Sequence, residues 1–223
     1  MNGGHNVKLT LKQTGLAILF FLGCLATAVF LTINSIWLFD INISFLHLRT
    51  ATGLTASQMH TDYVQIINYL QNPWKTALKF LYFTSSPNGL QHFKDVRHLV
   101  MINNSVGIIL LPICGYALVS LNKKSLTWLL ITPIKLMVVA SLVIISLMIV
   151  NFNQVFIYFH ELLFRNQDWI FDPNFDPVIN MLPDTFFLEC FMLFFVFFFG
   201  LLGLIYWLGK RSLRIFHKNP SPK

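Results

Sequence analysis

The sequence predicts an all-α integral membrane protein, with four transmembrane helices under a small extracellular cap formed by the two outer loops. Three observations carry that expectation. Of 223 residues, 55% are hydrophobic and only 11% charged, whereas soluble chains average roughly a quarter charged. Four apolar stretches are each long enough to cross a hydrocarbon core of roughly 30 Å, which takes about 20 residues. Basic residues gather beside alternate ends of those stretches, which orients them.

Taken in order, a short N-terminus (1–14, with Lys8 and Lys12) leads into span one, 15–38. Leu22-Gly23-Cys24 resembles the end of a lipoprotein cleavage box, but apolar sequence continues to Leu38. A signal peptide's apolar region is only about 7–15 residues and ends at the cut, so span one reads as a retained helix. A long connection, 39–98, precedes span two, 99–121. The turn 122–127 holds Lys123 and Lys124 and leads to span three, 128–150. A second connection, 151–184, leads to span four, 185–208, and a basic tail, 209–223, with Lys210, Arg211, Arg214 and Lys218.

The formal charge is +7, and its placement matters more than its size. The tails and the short turn hold no Asp or Glu, while the two long connections hold every acidic residue except Glu189. Lys and Arg near span ends stay cytoplasmic. Both termini and the turn are therefore expected inside and the long connections outside. Charge distributed in this way argues against nucleic acid as a partner. Lys135, close to the inner start of span three, can snorkel back to the headgroups. Cys24, Cys114 and Cys190 all fall inside spans without a C-x-x-C neighbour, which reads as apolar packing.

The outer connections are too short for robust independent cores and too aromatic for disorder, so they are expected to pack together as a cap. Residues 57–70 have helical character, with Tyr63, Ile66, Ile67 and Leu70 on one face. Ser85-Ser86-Pro87-Asn88-Gly89 reads as a turn, with a helix from Gln91 running into span two, and Asp172 to Pro177 reads as a rigid loop. Polar residues within the spans lie mainly toward their outer ends. Asn34, Asn151 and Asn153 suit either the headgroup boundary or a cavity, whereas Asn103, Asn104 and Glu189 are expected to face an outward-opening cavity.

Two of the seven histidines stand apart. His92 precedes Asp95 by three residues, which on a helix puts both on one face, so the carboxylate could fix the imidazole tautomer. His160 lies in Tyr158-Phe159-His160-Glu161, just past the outer end of span three. Both would reach the cap–membrane boundary from different helices. A zinc protease is disfavoured and no metal site is expected, because Phe164 stands where H-E-x-x-H requires its second histidine. No G-x-S-x-G elbow is present either.

Three segments together resemble the lipoprotein intramolecular transacylase (Lit) family of Gram-positive bacteria. They are Asp62-Tyr63 through Tyr69-Leu70; His92-x-x-Asp95-Val96; and Phe159-His160-Glu161-Leu162-Leu163-Phe164 followed by Asp168-Trp169-Ile170-Phe171-Asp172-Pro173, Asp176-Pro177 and Pro183-Asp184-Thr185-Phe186-Phe187. The resemblance implies four spans under an extracellular cap and two histidines at its boundary, corresponding to His92 and His160. It implies a diacylated lipoprotein as substrate, whose sn-2 acyl chain moves from the glyceryl oxygen to the α-amine of the same N-terminal cysteine, giving the lyso form.

The residues suit that chemistry. Aminolysis of an ester needs no cofactor. A free α-amine has a pKa near 7.7–8.0 and an unperturbed His near 6.5, so proton transfer costs about 2 kcal/mol, modest for a positioned base. His92 with Asp95 in support is the favoured base and His160 the hydrogen-bond donor, with the reverse assignment open. Attack closes a medium-sized ring, so orientation matters. Tyr63, Tyr69, Phe93, Phe159 and Trp169, with Asn103 and Asn104, are the candidate substrate contacts, and membrane lipid is the surrounding partner. Two other readings remain: a different outer-leaflet lipid acyltransferase, and a non-enzymatic membrane protein that binds an envelope partner.

Overall fold

The computed structural model describes residues 3–218. Residues 1–2 and 219–223 of the basic tails, and the side chains of Lys8 and Lys218, lie outside the described residues. Among the described residues the chain is helical with no strand, and four helices are long and apolar enough to cross a membrane. In chain order the helices are α1 (Gly3–Ile33), α2 (Ile36–Phe45), α3 (Leu48–Thr52), α4 (Ala56–Gln71), α5 (Pro87–Lys123), α6 (Ile131–Val150), α7 (Phe152–Leu163) and α8 (Asp184–Lys218). Short 3-10 turns, Thr127–Leu130 and Pro177–Asn180, precede α6 and α8.

The chain divides into two compact units. One gathers the residues up to Val29, Asn104–Ser146 and those from Phe195 on. Its helices turn large apolar residues outward, among them Ile108, Tyr116, Leu136 and Trp207, as a lipid-facing surface requires. Lipid tails are as apolar as Leu, so such helices associate through close packing of small residues. Gly23 shows this: a Cβ there would lie 2.8 Å from the Cys114 sulfur. All three cysteines are free.

The other unit, Phe30–Asn103 with Leu147–Phe194, holds the segments that join α1 to α5 and α6 to α8. Its core gathers Phe39, Met59, Tyr63, Val178, Met181 and Phe186. Two buried carboxylates organise its loops. Asp62, fully buried on α4, accepts from the backbone N–H groups of Leu81, Tyr82 and Phe83 at 2.7, 2.9 and 3.2 Å. Asp176 accepts from the Ser85 hydroxyl (2.8 Å), the Ser86 N–H (2.7 Å) and the Ser86 hydroxyl (2.6 Å). Such charge-assisted bonds to backbone satisfy donors that a loop would otherwise bury unpaired.

Local sequence explains the starts of three helices. The expected helix at 57–70 is α4, opened by a capping box between Thr55 and Gln58. The segment read as a turn at Ser85–Gly89 instead begins α5, four residues before the expected start at Gln91. The Ser86 hydroxyl accepts from the Gly89 N–H at 3.0 Å, and Pro87 occupies the first helical position, where its missing N–H costs nothing. Gly89 is required there, because a Cβ would fall 2.2 Å from an Asp176 oxygen. At 37 residues α5 is about 55 Å long, well over a hydrocarbon core of about 30 Å, so its first turns extend beyond the apolar run that begins near Leu99. Asn151 separates α6 from α7, its side chain accepting from the Gln154 N–H at 3.1 Å as the cap of α7.

Candidate active site

The unit of connecting segments brings His92, on the second turn of α5, beside His160, on the last turn of α7. Their ring centroids are 5.8 Å apart. Aromatic rings enclose both. Phe164 and Phe171 meet His92 edge-on at 4.9 and 5.5 Å, while Trp169 stacks on His160 at 4.8 Å and Phe156 lies 4.3 Å from it. His160 is buried and His92 half-buried.

The two imidazoles differ in their partners. His160 Nδ1 lies 2.7 Å from the carbonyl oxygen of Phe156, one helical turn earlier. A carbonyl only accepts, so Nδ1 carries the hydrogen and the neutral ring keeps its lone pair on Nε2. Burial shifts His160 below the ordinary histidine pKa, opposed by the Phe156 hydrogen bond and the Asp184 carboxylate. His92 Nδ1 is buried with no hydrogen-bond partner. A buried lone pair without a donor is less costly than a buried N–H without an acceptor, so the favoured neutral tautomer puts the hydrogen of His92 on Nε2.

Asp95 is not bonded to His92. Its two oxygens accept from the side-chain amides of Gln91 (2.7 Å) and Asn166 (2.8 Å). Asn166 belongs to the segment leaving α7, and its own carbonyl accepts from the Trp169 indole N–H at 3.1 Å. The carboxylate thus ties α5 to the loop that carries Trp169. Sequence spacing allowed an Asp95–His92 pair, but Gln91, four residues back on the same face, takes one oxygen and a residue 71 positions away takes the other.

The other expected contacts separate into groups. Trp169, Phe159 and Phe93 stand at the imidazoles, Phe159 at 5.5 Å from His160 and Phe93 at 6.3 Å from His92. Tyr63 does not: it stacks on Phe39 at 4.0 Å and meets Phe186 edge-on within the core, where burial pushes its phenol above the usual pKa. Tyr69 is buried beneath the guanidinium of Arg97 at 4.7 Å. Asn103 sits eleven residues beyond His92 on α5, about 16 Å along the axis, and Asn104 falls in the other unit. Glu189, expected to share a cavity with them, accepts from the buried amide of Asn42 at 2.5 Å.

Sequence reasoning missed Phe156, Phe164, Phe171 and Asn166. The first two were accessible, since positions four before and four after His160 share its face of the helix. Phe171 and Asn166 follow α7 in irregular chain, where spacing carries no such signal.

The comparisons fit this architecture. No curated protein is similar enough to match. Three solved structures of the membrane integral lipoprotein intramolecular transacylase Lit from Bacillus cereus do match. One has a TM-score of 0.88 at 26% identity, covering 97% of this chain and 100% of the other. Two variants of that protein, each with one histidine replaced, by arginine or by alanine, match with a TM-score of 0.82 at 25% and 26% identity. They cover 96% and 97% of this chain, and 96% and 98% of theirs. The family model of the lipoprotein intramolecular transacylase Lit matches residues 14–187, more than half of the chain. The chain is therefore a membrane-integral acyltransferase that belongs to the lipoprotein intramolecular transacylase family.

Proposed function

We propose that this enzyme moves the sn-2 acyl chain of a diacylglyceryl-cysteine lipoprotein to the α-amine of the same cysteine, using His160 as base and His92 as hydrogen-bond donor. The observation that carries the reading is the meeting of two imidazoles from different helices, 5.8 Å apart, inside an aromatic enclosure. The assignment reverses the one favoured by sequence. The Phe156 carbonyl holds the hydrogen of His160 on Nδ1 and so leaves Nε2 able to accept, whereas no carboxylate is hydrogen-bonded to His92, and burial and the neighbouring His160 outweigh the pull of Asp95 on its basicity.

The neutral amine attacks the acyl carbon, and His160 Nε2 takes the proton that nitrogen loses. The Nε2–H of His92 donates to the oxyanion, the placement of a donor where charge develops. As the carbon–oxygen bond breaks, His160 returns the proton to the glyceryl oxygen. One ester is lost, one amide forms, and both imidazoles end as they began, with no cofactor or metal. The aromatic walls favour the coiled conformer that a medium-sized ring demands and keep competing water away. The same reading puts both termini in the cytoplasm and the site at the outer face, supported by basic residues in the tails and the short turn. Its partners are diacylated lipoproteins and membrane lipid, with no role for nucleic acid.

The test is incubation of purified protein with a diacylglyceryl-cysteine peptide and an isotope-labelled second lipid, followed by fragmentation of the product. The expected product carries its own acyl chain on nitrogen and no label. Incorporation of the foreign chain, or conversion by a His160→Asn variant at the wild-type rate, would sink the proposal.

A further inference from the structure

A groove of about 570 Å³ opens between the early turns of α5 and the chain leaving α7. Its rim is cationic, with Lys94 and Arg97 on one wall and Arg165 on the other. Positions 94, 97 and 98 share a helix face, and Met101 continues it one turn on. Leu163 and Phe164 complete an apolar floor. The groove's single carboxylate, Asp95, already accepts from two amides. Among the described residues no Lys or Arg lies at ion-pair distance from a carboxylate, so none pairs with the groove's cations.

Arg97 is held in place without losing its charge. Its Nη2 donates to the backbone carbonyls of Asn72 and Pro73 at 3.0 and 3.1 Å, and the guanidinium lies 4.7 Å over the Tyr69 ring. A cation fixed in this way loses little entropy when it meets a ligand. Lys94 and Arg165 are exposed and can close on the same ligand from either side.

We propose that this groove binds the phosphate of an anionic phospholipid, with the upper acyl chain along Met101, Leu163 and Phe164. Depth identifies the ligand: 94–97 are the last charged positions of α5 before its apolar run, which puts the cations at headgroup level and the floor just below. A guanidinium fork matches phosphate geometry, and an apolar floor suits a phosphate that carries hydrocarbon. Free phosphate has no use for that floor. The site does not depend on the assigned reaction, because Lys94, Arg97 and Arg165 take no part in it.

The experiment reconstitutes the full chain in phosphatidylcholine nanodiscs containing a minor fraction of phosphatidylglycerol, then counts retained lipids by native mass spectrometry. Wild type should retain phosphatidylglycerol over phosphatidylcholine. A Lys94→Gln/Arg165→Gln double variant should retain it about 30-fold less well, since a cation near an anionic surface contributes about 1 kcal/mol. Both side chains are exposed, so the variant should fold. Inorganic phosphate in excess should leave the lipid bound. Displacement by inorganic phosphate, displacement by an acidic diacylglyceryl-cysteine peptide, equal retention of the two lipids, or an unaffected double variant would each overturn the proposal.

Discussion

Two aromatic clusters lie in the same unit of this protein and do different work. Phe39, Tyr63 and Phe186 pack ring against ring with at most 7% exposure. Around His92 and His160, the rings of Phe156, Phe164, Trp169 and Phe171 pack just as closely. The difference lies in what the rings surround. The first cluster is enclosed apolar surface whose worth is burial, about 25 cal/mol per Å². The second encloses two groups with lone pairs and N–H donors, so its worth is a dry setting in which those groups act. Aromatic density in this unit therefore does not mark a site; imidazoles within it do.

The largest expected effect separates the clusters outright. His160→Asn and His92→Asn should each lower kcat/KM by about 10²–10⁴-fold, the usual contribution of a positioned acid–base group. Thermal unfolding should stay within a few degrees, because neither ring anchors the core cluster. Size-exclusion and melting profiles alongside the turnover assay check both halves. Loss of activity accompanied by loss of fold would make the imidazoles structural, and the comparison would fail.

The mirror experiment falls on the core. Phe39→Ala should cost about 3–5 kcal/mol of stability, as for large buried aromatics generally. Tyr63→Phe keeps the stack on Phe39 and should leave turnover per folded molecule unchanged. Denaturation monitored by ring fluorescence, with activity normalised to folded protein, reads the two effects separately. A Tyr63→Phe enzyme with normal stability and a tenfold higher KM would return Tyr63 to the substrate.

What the sequence revealed follows this same division. Four spans were legible because a run of about 20 apolar residues matches the thickness of a bilayer core and suits few settings outside one, and α4 because its apolar positions keep a helical period. Four residues at the start of α5 were not, because Ser-Ser-Pro-Asn-Gly suits a turn as well as a capped helix start, and the choice rests on Asp176, some 90 positions away. His92 and His160 could be singled out by their setting. Their partners could not: Asp95 looked like the orienting group of His92, while the contact that orients a ring is the Phe156 carbonyl on His160. Tyr63 and Trp169 were equivalent as letters; tertiary packing alone sent one to the core and the other to an imidazole.

Acidity supplies a smaller and finer test. The substrate amine must be neutral, so log kcat/KM should rise with slope one up to about pH 8. Burial holds His160 below its ordinary value of 6.5, so it stays unprotonated and able to accept until the pH falls below 6.5. A second proton should therefore steepen the profile to slope two only in that lower range. Steepening already above pH 6.5 would mean that His160 is not held neutral by its surroundings, and the second cluster would lose the property that distinguishes it.

The smallest effect concerns the carboxylate between the two walls of the site. If Asp95 acts through its charge on His92, Asp95→Asn should be nearly as harmful as Asp95→Ala and should move the pH profile. The charge of Asp95 is the weakest of the influences on His92, behind burial and His160, and its hydrogen bonds run to Gln91 and Asn166 instead, which predicts otherwise. An asparagine can still accept from Asn166, and the Gln91 amide can rotate to offer its oxygen to the new N–H. Asp95→Ala should therefore lower kcat/KM by about tenfold, the scale of one lost positioning hydrogen bond, as the segment bearing Trp169 loosens. Asp95→Asn should recover to within about twofold of wild type with an unshifted profile, since only a positioning role survives the loss of charge.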